Sequence, residues 1–233
     1  MSADRHQLAE NLASVRRRMA AACLQAGRDS GELTLVAVSK TFPLQALLDA
    51  AEEGQLVFGE NKPQELASKS LEWADRPADV RLHMIGHLQS NKAGLVAEHA
   101  DVFHALDSIK LAAALDRRCQ ELGKTLECYV QVNVSGEDSK FGLAPDDLYP
   151  FLDSLSGIQN LRITGLMTLA APTAVQEETR AQFRLLRDLA AGYSDSGPVS
   201  LKVLSMGMSG DFEVAIQEGA THVRVGSAIF GGR

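Results

Sequence analysis

Lys40, Arg224 and two short serine–glycine runs are the residues whose types and positions suit one shared chemistry. Residues 33–43 form a continuous apolar, β-branched run that ends in Lys40 and is closed by Pro43. That composition suits a central parallel strand buried on both faces. Side-chain alternation puts Val36, Val38 and Lys40 on one face and Leu35, Ala37 and Ser39 on the other. An amine at the carboxyl end of such a strand stands where open-topped α/β folds keep their reactive groups. Read alone, the stretch fits a solvent-facing lysine at least as well. Near the other end of the chain, His222, Arg224 and Gly226 share one face, with Val223 and Val225 on the other. A buried arginine is costly without a partner, so an arginine between valines calls for a reason. Residues 205–210 (Ser-Met-Gly-Met-Ser-Gly) lead into a helical pattern near Asp211, and Gly226-Ser227 opens a short terminal segment. Backbone N–H groups at such starts bind anions without lysines, although an ordinary tight turn has the same composition. His83 and His87 are either ring-stacking and proton-shuttling candidates or satisfied structural histidines. His, Cys and carboxylates show no metal-ligand spacing, and no metal is expected.

These groups need a scaffold that brings the ends of distant segments together. Strand patterns fall at 33–39, 55–58, 81–85, 102–105, 126–133, 161–166, 200–204 and 222–225. Helical patterns lie between them at 43–53, 61–73, 91–98, 108–122, 145–156, 174–192 and 210–218. Short apolar runs alternating with helices indicate parallel βαβ units. Eight of them within 233 residues predict a single α/β domain over 1–233, a (β/α)8 TIM barrel with an extra N-terminal helix. A doubly wound sheet is the runner-up, but no G-x-G-x-x-G follows the first strand. The extra helix, at 3–27 within an N-terminal segment of residues 1–30, spaces Leu8, Leu12, Val15, Met19 and Ala22/Cys23 helically. Arg16, Arg17 and Arg18 are expected to face mostly outward. A net charge of −7 argues against a general nucleic-acid or anionic-membrane binder. Three cysteines without a C-x-x-C suit a reducing cytoplasm, and neither an apolar leader nor a membrane-length run is present.

If the fold is a barrel, the residues after each strand line one mouth. Lys40, Gly59-Glu60-Asn61, 85–92, Asn133, Met167-Thr168, 205–211 and Gly226-Ser227 then gather there. A lysine, a phosphate cradle after strands seven and eight, and an arginine beside it suit pyridoxal 5′-phosphate. Lys40 would form the Schiff base and Arg224 would face the pyridine nitrogen, leaving the ring a poor electron sink.

Val38-Ser-Lys40-Thr, Phe58-Gly-Glu-Asn61, His83-Met-Ile-Gly86, Leu88-Gln89, Asn91-Lys92, Asn133, Lys140-Phe-Gly142, Gly165-Leu-Met167, Leu204-Ser-Met-Gly-Met-Ser209 and Arg224-Val-Gly226 with Ile229-Phe-Gly231 occur in this order. As a set they resemble the pyridoxal phosphate homeostasis protein family. The resemblance implies a barrel like the N-terminal domain of bacterial alanine racemase, with pyridoxal 5′-phosphate covalently on Lys40. It implies phosphate contacts around Ser209, Gly226 and Ser227, and Arg224 near the ring nitrogen. Asn61, His83, Met167, Ser205 and Met208 complete the expected cofactor set. Members are described as carriers or regulators of the vitamin B6 pool, and apo-enzymes that use the cofactor are the expected recipients. A cytoplasmic monomer is expected.

Racemization needs acid–base groups on both faces of the cofactor. Racemases of this kind take the second group from a tyrosine of another domain, and the predicted barrel consumes this chain. Tyr129 falls in a strand, Tyr149 in a helix and Tyr193 after one. A binding protein is therefore expected rather than an efficient enzyme, with a weak amino-acid racemase, helped by His83 or Lys140, as the alternative. A cofactor-free Schiff-base aldolase leaves Arg224 unexplained.

Overall fold

The computed structural model describes residues 3–137, 141–194 and 199–232. Its eight strands are β1 (Thr34–Val38), β2 (Val57–Glu60), β3 (Arg81–Met84), β4 (Val102–Leu106), β5 (Leu126–Gln131), β6 (Leu161–Met167), β7 (Val199–Ser205) and β8 (His222–Val225). They pair in chain order, all parallel, and β8 closes on β1 to complete a barrel. The helices are α1 (Ala3–Gln25), α2 (Leu44–Glu52), α3 (Pro63–Glu72), α4 (Ala93–His99), α5 (Ile109–Glu121), α6 (Leu148–Ser154), α7 (Gln176–Ala191), α8 (Phe212–Gln217) and α9 (Ser227–Phe230). The predicted TIM barrel with its extra N-terminal helix is thus the observed architecture. Most boundaries shift by one to three residues from the sequence pattern, and two differences lie near the mouth. β5 ends at Gln131 because Val132 leaves the ladder to bridge Leu143, and the terminal segment forms the short α9.

Apolar residues dominate the strands because both faces are covered, one by the helices and one by the barrel interior. The α1 stripe of Leu8, Leu12, Val15, Met19, Ala22 and Cys23 is buried, as its spacing requires. Asn11 Nδ2 donates to the Ile229 carbonyl at 2.9 Å, which ties α1 to α9 beside the barrel mouth. Two of the arginines expected to face solvent also hold α1 in place. Arg16 donates to the Glu53 carbonyl at 2.8 Å. Arg18 pairs with Glu213 at 2.6 Å and lies over the Phe212 ring. Their long stems let the charged heads reach neighbours that helical periodicity does not reveal.

The barrel interior departs from the usual aliphatic layers. His83, His104, Tyr129 and His222 occupy it, with ring centroids 5.0 Å apart for His83–His104 and 4.4 Å for His104–Tyr129. No helix among the described residues is long and apolar enough to cross a membrane.

Candidate functional site

Closure of β8 on β1 pairs Val36 with Arg224 and Ala37 with Val225. The lysine from early in the chain and the arginine from its end therefore belong to neighbouring strands of one mouth. A cavity of about 620 Å3 opens there, walled by Val38, Lys40, Phe42, Asn61, Ile85, Leu169, Met208, Ser209, Gly210, Arg224, Gly226, Ser227, Gly231 and Gly232. That size suits a small organic ligand. Strand alternation carries Lys40 onto the cavity face together with Val38, while Ser39 turns toward α3 and reaches Glu60 at 2.6 Å.

Arg224 is a buried cation with fixed partners. One terminal nitrogen donates to Ser205 Oγ at 2.7 Å and the other to the Thr168 carbonyl at 2.7 Å. Burial lowers its pKa to about 10, with the nearby Asp211 carboxylate acting in the opposite direction, so it stays charged at neutral pH. Behind it, Ser205 Oγ lies 3.0 Å from His104 Nδ1, and His104 Nε2 lies 2.9 Å from His83 Nδ1. An arginine can only donate, so Ser205 accepts from it. The polarity that uses the Ser205 proton sends it to His104 Nδ1 and leaves His104 Nε2–H pointing at His83. His83 Nε2 ends the chain, buried and without a partner among the described residues. Burial holds both imidazoles well below the ordinary histidine pKa, and hence neutral.

Replacing Ser205 with alanine strands one Arg224 donor and one His104 acceptor in the interior. A loss of about 1–3 kcal/mol is expected, because a buried polar group without a partner bears its full desolvation cost. A fall in the urea midpoint at constant slope measures it; an unchanged midpoint refutes the relay.

The adjoining rim is built from the loops after β7 and β8. Gly207 has φ +90°, and a Cβ there would lie 2.6 Å from the Ala215 methyl, so this turn requires glycine. Met208 N–H donates to Asp211 Oδ1 at 2.6 Å. Ser209 Oγ accepts from the amides of Gly226 and Ala228 at 3.3 and 3.4 Å, tying the two loops together. Among the described residues the amides of Ser209, Gly210 and Ser227 donate to no protein acceptor.

Of the residues expected from sequence, Lys40, Asn61, Met208, Ser209, Arg224, Gly226 and Ser227 line this cavity. His83, Met167 and Ser205 do not. Ser205 lies behind Arg224, His83 lies a further residue behind it, and Met167 is enclosed in the core. His87 stacks on Phe141 at 3.8 Å and pairs with Asp107, away from the cavity wall. Lys140 is outside the described residues. None of the three tyrosines lines the cavity. Tyr129 approaches Glu127 and His222 inside the barrel, Tyr149 donates to the Leu189 carbonyl, and Tyr193 donates to Asp153. Sequence reasoning missed His104 and the contribution of Lys69, and it placed Thr168 and Asp211 at the mouth without giving either a role beside Arg224. The first had a visible signal, a histidine inside the apolar run 102–106.

Residues 3–233 match the family model described as alanine racemase, N-terminal domain. A pyridoxal phosphate homeostasis protein of Pseudomonas aeruginosa is 43% identical over 226 residues, covering 97% of this chain and 96% of the relative. The protein of that name from Escherichia coli K12 is 41% identical, covering 98% of this chain and 97% of the relative. PipY of Synechococcus elongatus, solved with PLP bound, superposes with a TM-score of 0.83 at 39% identity, covering 96% of this chain and all of that one. Barrel, mouth and near full-length matches agree: the chain belongs to the pyridoxal phosphate homeostasis protein family, within the broader alanine racemase N-terminal domain family.

Proposed function

We propose that this chain, acting as one unit over residues 1–233, binds pyridoxal 5′-phosphate in the mouth cavity and serves intracellular homeostasis of that cofactor. The observation that carries this reading is a single cavity that has an amine just past β1, a buried guanidinium on β8 and unpaired amides at its rim. The PLP bound to PipY and the names of the relatives support it.

The residues present fit the group. Lys40 Nζ would be the covalent anchor, its amine condensing with the cofactor's aldehyde with release of one water. The unpaired amides of Ser209, Gly210 and Ser227 suit a phosphate, and Ser209 Oγ holds that rim closed. Arg224, fixed from behind by Ser205 and Thr168, would face the ring nitrogen with its remaining N–H groups while keeping its own proton. When bound, the cofactor supplies an electrophilic carbon and an electron sink, and the sink is weak where a guanidinium holds the ring nitrogen unprotonated. Asn61 and Met208 border the remaining walls.

The racemase alternative needs a second proton-transfer group facing Lys40. The three tyrosines lie elsewhere and His83 is buried behind Ser205 and His104. These positions favour holding the cofactor over turning over amino acids. A cytoplasmic location, a monomeric state and apo-enzymes as recipients complete the proposal.

Purified protein mixed with pyridoxal 5′-phosphate is expected to turn yellow, and borohydride to bleach it and fix one pyridoxyl mass on the Lys40 peptide. Protein that takes up no cofactor overturns the reading. Rapid exchange of amino-acid α-hydrogens in deuterated water replaces it with the racemase reading.

A further inference from the structure

A second constellation lies behind Lys40, on the side away from the cavity. Lys69, on α3, is 5% exposed, and Glu60, at the end of β2, is fully buried. Lys69 Nζ donates to Glu60 Oε1 at 2.7 Å, to Glu65 Oε1 at 3.0 Å and to the Ser39 carbonyl at 2.9 Å. Ser39 Oγ donates to the same Glu60 oxygen, while Glu60 Oε2 is buried without a partner. Glu65 Oε1 accepts the Thr41 amide at 2.5 Å. The cluster therefore grips the main chain on both sides of Lys40, through the Ser39 carbonyl and the Thr41 amide.

At the second grip the backbone is strained. Thr41 has φ +70°, the only non-glycine residue at positive φ among the described residues. A β-branched residue adopts that conformation only where its surroundings impose it. Buried charges are a poor way to obtain stability, because apolar residues of similar volume serve as well or better. Two carboxylates and one ammonium under the last residues of β1 therefore need a purpose other than holding the barrel.

We infer that Glu60, Lys69 and Glu65 are positioning residues for Lys40, holding Thr41 in its left-handed conformation so that the Lys40 amine is presented to the mouth cavity. This inference rests on Lys40 as the anchor of the proposed function. The cluster touches neither the cavity nor its contents. It acts through two main-chain hydrogen bonds that bracket one side chain.

Glu65→Ala tests it, since Glu65 sits partly exposed in the first turn of α3 and its loss spares the barrel. The readout is the rate at which borohydride-fixed pyridoxyl mass accumulates on the Lys40 peptide, with the urea midpoint followed in parallel. Labelling about tenfold slower than wild type is expected, the worth of roughly one hydrogen bond to a charged group. Glu65→Gln keeps an oxygen for the Thr41 amide and is expected to stay close to the wild-type rate. Thr41→Gly removes the strain, so Thr41→Gly/Glu65→Ala is expected to recover most of the lost rate. Lys69→Met is expected to slow labelling by a similar factor. Wild-type rates in both Glu65→Ala and Lys69→Met overturn the inference. So does equal slowing in Glu65→Ala with and without Thr41→Gly, which marks a general defect in the fold. A wild-type protein labelled on another lysine removes the Lys40 reading itself, and the clamp's purpose with it.

Discussion

Lys40→Ala is expected to abolish borohydride-fixed labelling altogether while leaving the barrel folded. The side chain is half-buried at the end of β1, and among the described residues its amine makes no hydrogen bond or ion pair. Its removal deprives no buried group of a partner, so a stability change within about 1 kcal/mol is expected. Uptake without the covalent link depends on Arg224 and the rim amides, and should weaken about a hundredfold, equivalent to some 2.7 kcal/mol. Lys40→Arg separates charge from chemistry. It restores a cation at the same place but offers no amine that condenses with an aldehyde at neutral pH, and it too is expected to stay unlabelled. Mass spectrometry after borohydride treatment reads both variants. Wild-type stoichiometry in either one moves the anchor to another lysine and removes the central assignment.

The fold was legible because its signals are local. Runs such as 33–39 and 126–133 advertise strands covered on both faces, and alternation alone separated Lys40 from Ser39 and Arg224 from Val223. The principal contacts of the mouth followed from strand order, since closure of a barrel makes the first and last strands neighbours. Depth within the barrel was not legible. Ser205 and His83 lie in the same motifs as cavity residues, yet one stands behind Arg224 and the other beyond His104. Spacing along a strand reports which face a residue takes, but not which layer of the interior it fills. Lys69 was invisible for a different reason. In a helical pattern with Lys62, Glu65, Ser68 and Glu72, it reads as one more surface charge. Only the packing of α3 over β1 and β2 turns it inward toward Ser39 and Glu60.

The histidines that deepen the site also set how the apo-protein responds to acid. Burial is the main reason that His83 and His104 lie well below the ordinary value of about 6.5, and that His222 falls to about 4. The unfolded chain takes up these protons as pH drops through 6.5, and the folded chain does not. More protons on the unfolded side means that stability is present in full above pH 6.5 and declines below it. Each histidine that stays neutral to pH 5 costs about 2 kcal/mol between pH 7 and pH 5. Three together cost about 5–6 kcal/mol, a large part of the 5–15 kcal/mol typical of a folded domain. Glu60, Asp107 and Asp211 act with the opposite sign. Burial raises their carboxyl pKa values, so protonation in the folded state offsets part of the loss at the acid end of this window. Glu218, lowered by its arginine partners, adds to the loss once the pH passes below the ordinary carboxylate range. The urea midpoint is therefore expected to fall steeply from pH 7 to pH 5, with a constant denaturant slope. His83→Met is the informative variant: His83 Nε2 has no partner to lose, and the loss of the Nδ1 acceptor for His104 Nε2–H lowers the midpoint at every pH rather than changing its slope with pH. It should flatten the decline by about one third, the share of one proton in three. A midpoint independent of pH across this range, or a decline that His83→Met leaves untouched, means that the interior histidines are already charged in the folded barrel. In that case the polarity assigned to the chain from Arg224 through Ser205 and His104 to His83 does not hold.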